Sequence, residues 1–123
     1  MKDQEHIIQA GLMRELFYHR INHPSLALIF AIPNGGDRHK AVAVKLKAEG
    51  VKAGVPDLCL PVPRGSFHGL FVEMKPLKPK RNPLDKQKWW LNELSKQGYD
   101  TYCCRGHHAA ITVIQGYLNT GAK

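Results

Sequence analysis

Near the start of the chain, Ile8, Leu12, Met13 and Leu16 recur at helical spacing and share one face of a helix over residues 4–21. The next apolar stretch, LALIFAI at 26–32, lacks polar alternation and reads as a short buried strand, broken by Pro33-Asn34-Gly35-Gly36. Asp37 is placed to cap a helix running to about Glu49, with Gly50 at the stop position. After the turn VKAGVP, Asp57 opens a strand, DLCLPV. PVPRGSFH then loops back, and GLFVEMK returns antiparallel to it. KPLKPKRNP, rich in Pro and Lys, is an exposed connection. Asn82 caps the following helix, Pro83 takes its first position, and it runs to Gln97 with Gly98 ending it. YDTYCC is a last strand, followed by a final helix from about His107 to Leu118.

The order α-β-α-β-β-α-β-α, with no internal repeat or linker, predicts an α/β fold: a mixed sheet of about four strands flanked by helices. At 123 residues the chain is expected to form a single domain spanning 1–123. Its 43% hydrophobic and 23% charged residues are those of a soluble globular protein. No apolar run approaches the roughly 18 residues of a membrane span, so no membrane partner is expected. MKDQEHIIQ lacks the plan of a signal peptide. Cys59, Cys103 and Cys104 make an odd count without framework spacing, which fits a reducing compartment. Together these place the protein in the cytoplasm, that of a host cell if the chain is viral.

Charge narrows the choice of partner. Eighteen Lys and Arg against ten Asp and Glu give a net charge of +8, so a polyanion leads, and nucleic acid above all. The basic residues are also clustered. Lys75, Lys78, Lys80, Arg81, Lys86 and Lys88 fall in one segment whose only acid is Asp85. Lys78, Lys80, Arg81, Lys86 and Lys88 are therefore the candidate nucleic-acid-binding residues. Such residues grip the phosphate backbone without reading sequence.

Two carboxylates sit at opposite ends of the expected hairpin. Asp57 begins one strand and Glu73 ends the next, so antiparallel pairing brings them to one edge of the sheet. Lys75, two residues on, shares a face with Glu73 because strand side chains alternate. Two hard oxygen ligands suit Mg²⁺, which keeps several waters and needs only one or two carboxylates. An ammonium beside them can orient a water or stabilise phosphoryl oxygens. Taken alone, Glu73 and Lys75 also fit an exposed strand pair, but the apolar GLFV before them argues for burial. On the flanking helices, Glu5 and Gln9 fall inside the apolar arc of the first helix. Gln87 lies in the stripe Leu84, Gln87, Leu91, Leu94 of the later one. Polar groups on core-facing stripes are costly unless something binds them, or unless the stripe reaches the protein edge.

GVKAGVPD at 50–57, then Glu73-Met74-Lys75, then Gln87, resembles the PD-(D/E)XK nuclease superfamily. Within it the chain is similar to the stand-alone VRR-NUC (virus-type replication-repair nuclease) domain, over nearly its whole length. Also matching are the first helix with Glu5 and Gln9 and the Pro33-Asn34-Gly35 turn. The resemblance implies that Asp57 and Glu73 bind the divalent metal with the backbone carbonyl of Met74. It further implies that Lys75 is catalytic and that Glu5 and Gln87 complete the site.

Other signals weigh less. Cys103-Cys104-Arg105-Gly106-His107-His108 invites a zinc reading, but neighbouring strand residues point to opposite faces. Buried strand cysteines and a histidine pair at a helix start account for it better. Trp89 and Trp90 are adjacent in a helix, so one packs and the other is partly exposed. The expected function is a Mg²⁺-dependent (or Mn²⁺-dependent), structure-selective DNA endonuclease, acting as a homodimer on branched DNA such as four-way (Holliday) junctions in DNA repair. The final helix, apolar on more than one side, is the candidate interface. The rivals are a monomeric flap or nicking nuclease and a non-catalytic basic DNA-binding module.

Overall fold

The computed structural model describes residues 2–33 and 40–121, the side chains of 2–5 and 40 excepted. Within them the chain forms α1 (Lys2–His19), a 3-10 turn (Pro24–Leu28), β1 (Phe30–Ala31), α2 (Lys40–Ala48) and β2 (Leu58–Leu60). Then come β3 (Leu70–Lys75), α3 (Asp85–Lys96), β4 (Asp100–Arg105) and α4 (Gly106–Leu118). The strands lie in the order β1-β2-β3-β4, antiparallel except for the parallel pair β3 and β4. The expected α/β fold, a mixed four-stranded sheet between helices, is therefore the observed one. Asp37 and the turn at Asn34, Gly35 and Gly36 lie outside the described residues. No helix among the described residues is long and apolar enough to cross a membrane.

One face of the sheet carries the core. Leu58 and Leu60 of β2, Leu70, Val72 and Met74 of β3 and Cys104 of β4 pack against Leu12 and Leu16 of α1. Ala110, Ile111, Ile114, Tyr117 and Leu118 of α4, with Leu26 and Val62, complete this cluster. The apolar side chains of α4 are thus spent inside the chain, which removes the final helix as an interface element. Exposed apolar residues lie elsewhere, among them Phe17 and Tyr18 at the end of α1, Ile21 just beyond it, and Leu28.

Four sequence expectations are corrected. LALIFAI is not a buried strand: it opens as the 3-10 turn, and only residues 30–31 pair, with Phe30 half exposed at the sheet edge. Pro24 forces this, because it holds His23 in a non-helical conformation (φ −136°, ψ 77°) and starts a new turn. α1 ends at His19 rather than at residue 21. DLCLPV shrinks to Leu58–Leu60, since Pro61 and Pro63 have no N–H for a ladder. Finally, α3 begins at Asp85 with Leu84 as its cap residue, not at Pro83 behind Asn82. Leu84 therefore leaves the inward stripe and is 67% exposed.

Two glycines set the turn that leads into β2. Gly50 has φ +101° and follows the last turn of α2; Gly54 has φ +89°. At Gly54 a Cβ would stand 2.8 Å from Cβ of Lys86 and 3.0 Å from its backbone carbon. The turn before Asp57 is therefore seated against the first turn of α3, and only glycine fits both the backbone angle and the gap. Gly54→Ala should destabilise the fold by roughly 1–3 kcal/mol, the cost of a strained backbone position, and more if α3 must shift. Gly11, inside α1 with nothing within 4 Å of its would-be Cβ, is the control. There Gly11→Ala should stabilise by about 0.8–1 kcal/mol. Thermal melts of the two variants should move in opposite directions; equal shifts would refute the packing assigned to Gly54.

Candidate active site

Glu73 lies in the central strand β3, between β2 and β4. Met74 beside it faces the core, so Glu73 faces the opposite side, toward α3. Its side chain is 2% exposed and is the buried charged group among the described core residues. Gln87, in the first turn of α3, donates from Nε2 to Glu73 Oε2 at 3.2 Å. Its other end is occupied too: Gln87 Oε1 accepts the Leu84 N–H at 2.8 Å. One amide thus satisfies an orphan donor at the helix start and turns the carboxylate.

Asp57 reaches the same place from β2. The register Leu58↔Val72, carried on, sets Asp57 opposite Glu73 and Pro56 opposite Met74. At that point the backbone ladder stops, and Asp57 Oδ2 accepts the Met74 N–H at 2.7 Å instead. The carbonyl of Asp57 is held as well, accepting from Ile32 N at 2.8 Å. Its carboxylate is thereby tied to the strand that carries Glu73. A hydrogen bond from a backbone N–H to an ionised carboxylate is stronger than a neutral one.

Lys75 leaves the sheet on the Glu73 side, half buried at the end of β3. The parallel register with β4 adds two neighbours on this face: Glu73 pairs with Cys103, and Lys75 with Arg105. Burial, and then the Glu73 carboxylate, pushes the Cys103 thiol above its ordinary range, while Arg105 and Lys75 pull it down. Asp57 also raises it. The thiol thus senses both carboxylates and both cations, which marks them as one cluster. Cys104, on the other face, is buried in the core, and burial pushes its thiol up to about 11.

The structure therefore brings together Asp57, Glu73, the Met74 backbone, Lys75 and Gln87 as the sequence proposed. Glu5 belongs to α1, but its side chain lies outside the described residues. Lys78, Lys80, Arg81, Lys86 and Lys88 are all exposed, along the connection that leaves Lys75 and on the first turn of α3. Trp89 is 56% exposed and stands edge-on to the half-buried Trp90, ring centroids 5.4 Å apart. Sequence reasoning missed Cys103 and Arg105, treating Cys103 as a buried strand cysteine. No local signal places them, because the face each takes depends on the register between β3 and β4.

Among the described residues no group of three His, Cys, Asp or Glu side chains is arranged to hold a metal ion. The chemistry of the pair Asp57 and Glu73, with the Met74 carbonyl, still fits a hard divalent cation, which needs only one or two carboxylates and keeps its waters.

Comparison with known proteins gives the family to which this fold belongs. No curated protein matches the chain. A solved structure described as a VRR_NUC domain protein is similar to it, with a TM-score of 0.79 and 30% identity over 97% of this chain and 91% of that one. The model of the VRR-NUC domain matches residues 3–108, a span that holds every candidate residue above. The chain belongs to the VRR-NUC domain family and is a nuclease-type domain.

Proposed function

We propose that this domain is a Mg²⁺-dependent DNA endonuclease that selects branched substrates, four-way junctions in particular, and acts as a homodimer in DNA repair. The observation that carries the reading is the convergence of Asp57 and the buried, Gln87-oriented Glu73 at one end of the sheet, with Lys75 on the same face. Asp57, Glu73 and the Met74 carbonyl would hold Mg²⁺, or Mn²⁺ in its place. Bound there, the ion would lower the pKa of a water and neutralise charge on the phosphate.

The chain's own residues do the rest. The Met74 N–H fixes Asp57, and Gln87 fixes Glu73, so neither carboxylate has to reorganise when substrate arrives. Lys75 orients the attacking water and stabilises charge on the phosphoryl oxygens. The water oxygen bonds to phosphorus as the P–O bond to the leaving sugar oxygen breaks, and that oxygen takes a proton. Glu5, by family resemblance, completes the site from α1. Lys78, Lys80, Arg81, Lys86 and Lys88 grip backbone phosphates on the approach, and the exposed Trp89 offers a stacking surface beside them. A protein with three free cysteines suits the reducing cytoplasm.

The dimer reading rests on symmetry and on exposed apolar surface. One site cuts one strand, a four-way junction has approximate two-fold symmetry, and C₂ dimers are the commonest closed assembly. Phe17, Tyr18 and Ile21, from 61% to 86% exposed, are the apolar surface that such an interface would cover.

Cleavage of labelled junctions should proceed with Mg²⁺ or Mn²⁺, fall to a trace with Ca²⁺ and stop in EDTA. Asp57→Ala, Glu73→Ala and Lys75→Ala should each abolish it while DNA binding persists. Full activity in excess EDTA, or a wild-type rate for Asp57→Ala, would overturn the site. Replacing Lys78, Lys80 and Arg81 together by Ala should weaken binding to every DNA shape. The log–log salt slope should fall by roughly 0.9 for each duplex phosphate that is no longer neutralised; an unchanged slope would place the phosphate-gripping residues elsewhere. Light scattering should give a dimer at micromolar concentration. A monomer with and without junction DNA would refute it, and a monomer that cuts only flaps would favour the flap-nuclease reading.

A further inference from the structure

Arg105 ends β4 and is the register partner of Lys75, so its side chain leaves the sheet on the face that carries Glu73 and Lys75. The chain turns immediately after it. Gly106 has φ +79°, and a Cβ there would meet Cγ of Leu77 at 3.0 Å, so the connection leaving Lys75 lies against the turn and holds Arg105 at the strand end. Arg105 is only partly exposed, and its Nη1 is shut off from solvent without a hydrogen-bond partner among the described residues. This is a costly way to place a guanidinium, which carries five donors and does not give up its charge. An arginine kept for folding alone would be expected to have its donors met by carbonyls or carboxylates. An unmet donor is thus kept beside the reaction centre, and a ligand reaches it as the side chain turns out of its closed position.

We infer that Arg105 is a substrate-contacting residue of this site, its guanidinium gripping the non-bridging oxygens of a cleaved-strand phosphate within one nucleotide of the scissile bond. This rests on the reading of the domain as a phosphodiester-cleaving enzyme. A phosphodiester is the ligand that the chemistry selects: a planar fork of N–H donors matches two phosphate oxygens, and a charged pair of this kind is strong where water is excluded. Lys75 and Arg105 then divide the work. The lysine acts as a point charge next to Glu73, and the arginine orients the strand across the site.

The test compares wild type, Arg105→Gln and Arg105→Lys on DNA carrying one neutral methylphosphonate at each position from two nucleotides before the scissile bond to two after it. Binding is read by fluorescence anisotropy without cleavage, and single-turnover rates are read on the unmodified strand. Both variants should cut more slowly by roughly 10²–10³-fold, with lysine failing to rescue because it lacks the fork. Wild type should lose affinity when the phosphate that Arg105 grips is neutral, while Arg105→Gln should be indifferent to neutralisation there and sensitive elsewhere. If Arg105→Gln does not fold, Arg105→Lys, which keeps charge and most of the volume, carries the comparison. A purely structural arginine would lower the melting temperature and leave the methylphosphonate profile unchanged, and that result overturns the inference. Wild type that cuts no DNA with any metal would defeat the nuclease reading instead, with the binding profile still deciding whether Arg105 touches phosphate.

Discussion

Glu73 holds a carboxylate at 2% exposure inside a β-sheet, and an ionised group so placed must be surrounded by donors or positive charge, or the fold loses several kcal/mol. Much of the local architecture answers that demand. β3 has to be a central strand to bury the position at all, which requires β2 on one side and β4 on the other. Gln87 must then stand over it, which places the first turn of α3. Lys75 and, through the parallel register, Arg105 bring cationic side chains to the same face.

Asp57 shows how the backbone was adapted to the same end. Beyond Leu58, where the ladder ends, the Met74 N–H passes to a side-chain carboxylate. The strand thereby exchanges a structural hydrogen bond for one that fixes a reactive group. Gly54 makes the exchange possible from the other side, letting the turn before Asp57 press against Lys86. The second glycine of the GVKAGVPD segment thus joins the two halves of the site, Asp57 at the start of β2 and α3 with Gln87.

The two faces of the sheet differ in kind. Toward α1 and α4 it is a continuous apolar core; toward α3 it sets Phe71 and Cys59 beside the polar cluster, and α3 has no fully buried residue. Apolar burial therefore anchors one layer and leaves the other to half-buried packing and specific hydrogen bonds, as suits a face that has to admit a polyanion. The exposed basic connection between β3 and α3 lies beside this second layer.

Local chemistry made most of this legible from the chain alone. Hydrophobic period marked α1, β3 and α4, and the order of elements implied the mixed sheet. The hairpin paired Asp57 with Glu73, and alternation put Lys75 on the same face. Each of these depends on residues close in sequence or on an adjacent strand. The 3-10 turn at Pro24, the shortness of β2 and the start of α3 were misread, because proline restrictions and side-chain caps compete with periodicity over only two or three residues. What tertiary structure alone decided was the register between β3 and β4, set by the crossover through α3. A one-residue slip there would have sent Cys103 and Arg105 to the core face and Cys104 to the site. Pairing between strands separated by a helix is a non-local choice, settled by which face can be buried. For that reason two members of the polar cluster stayed hidden in a sequence that named the others.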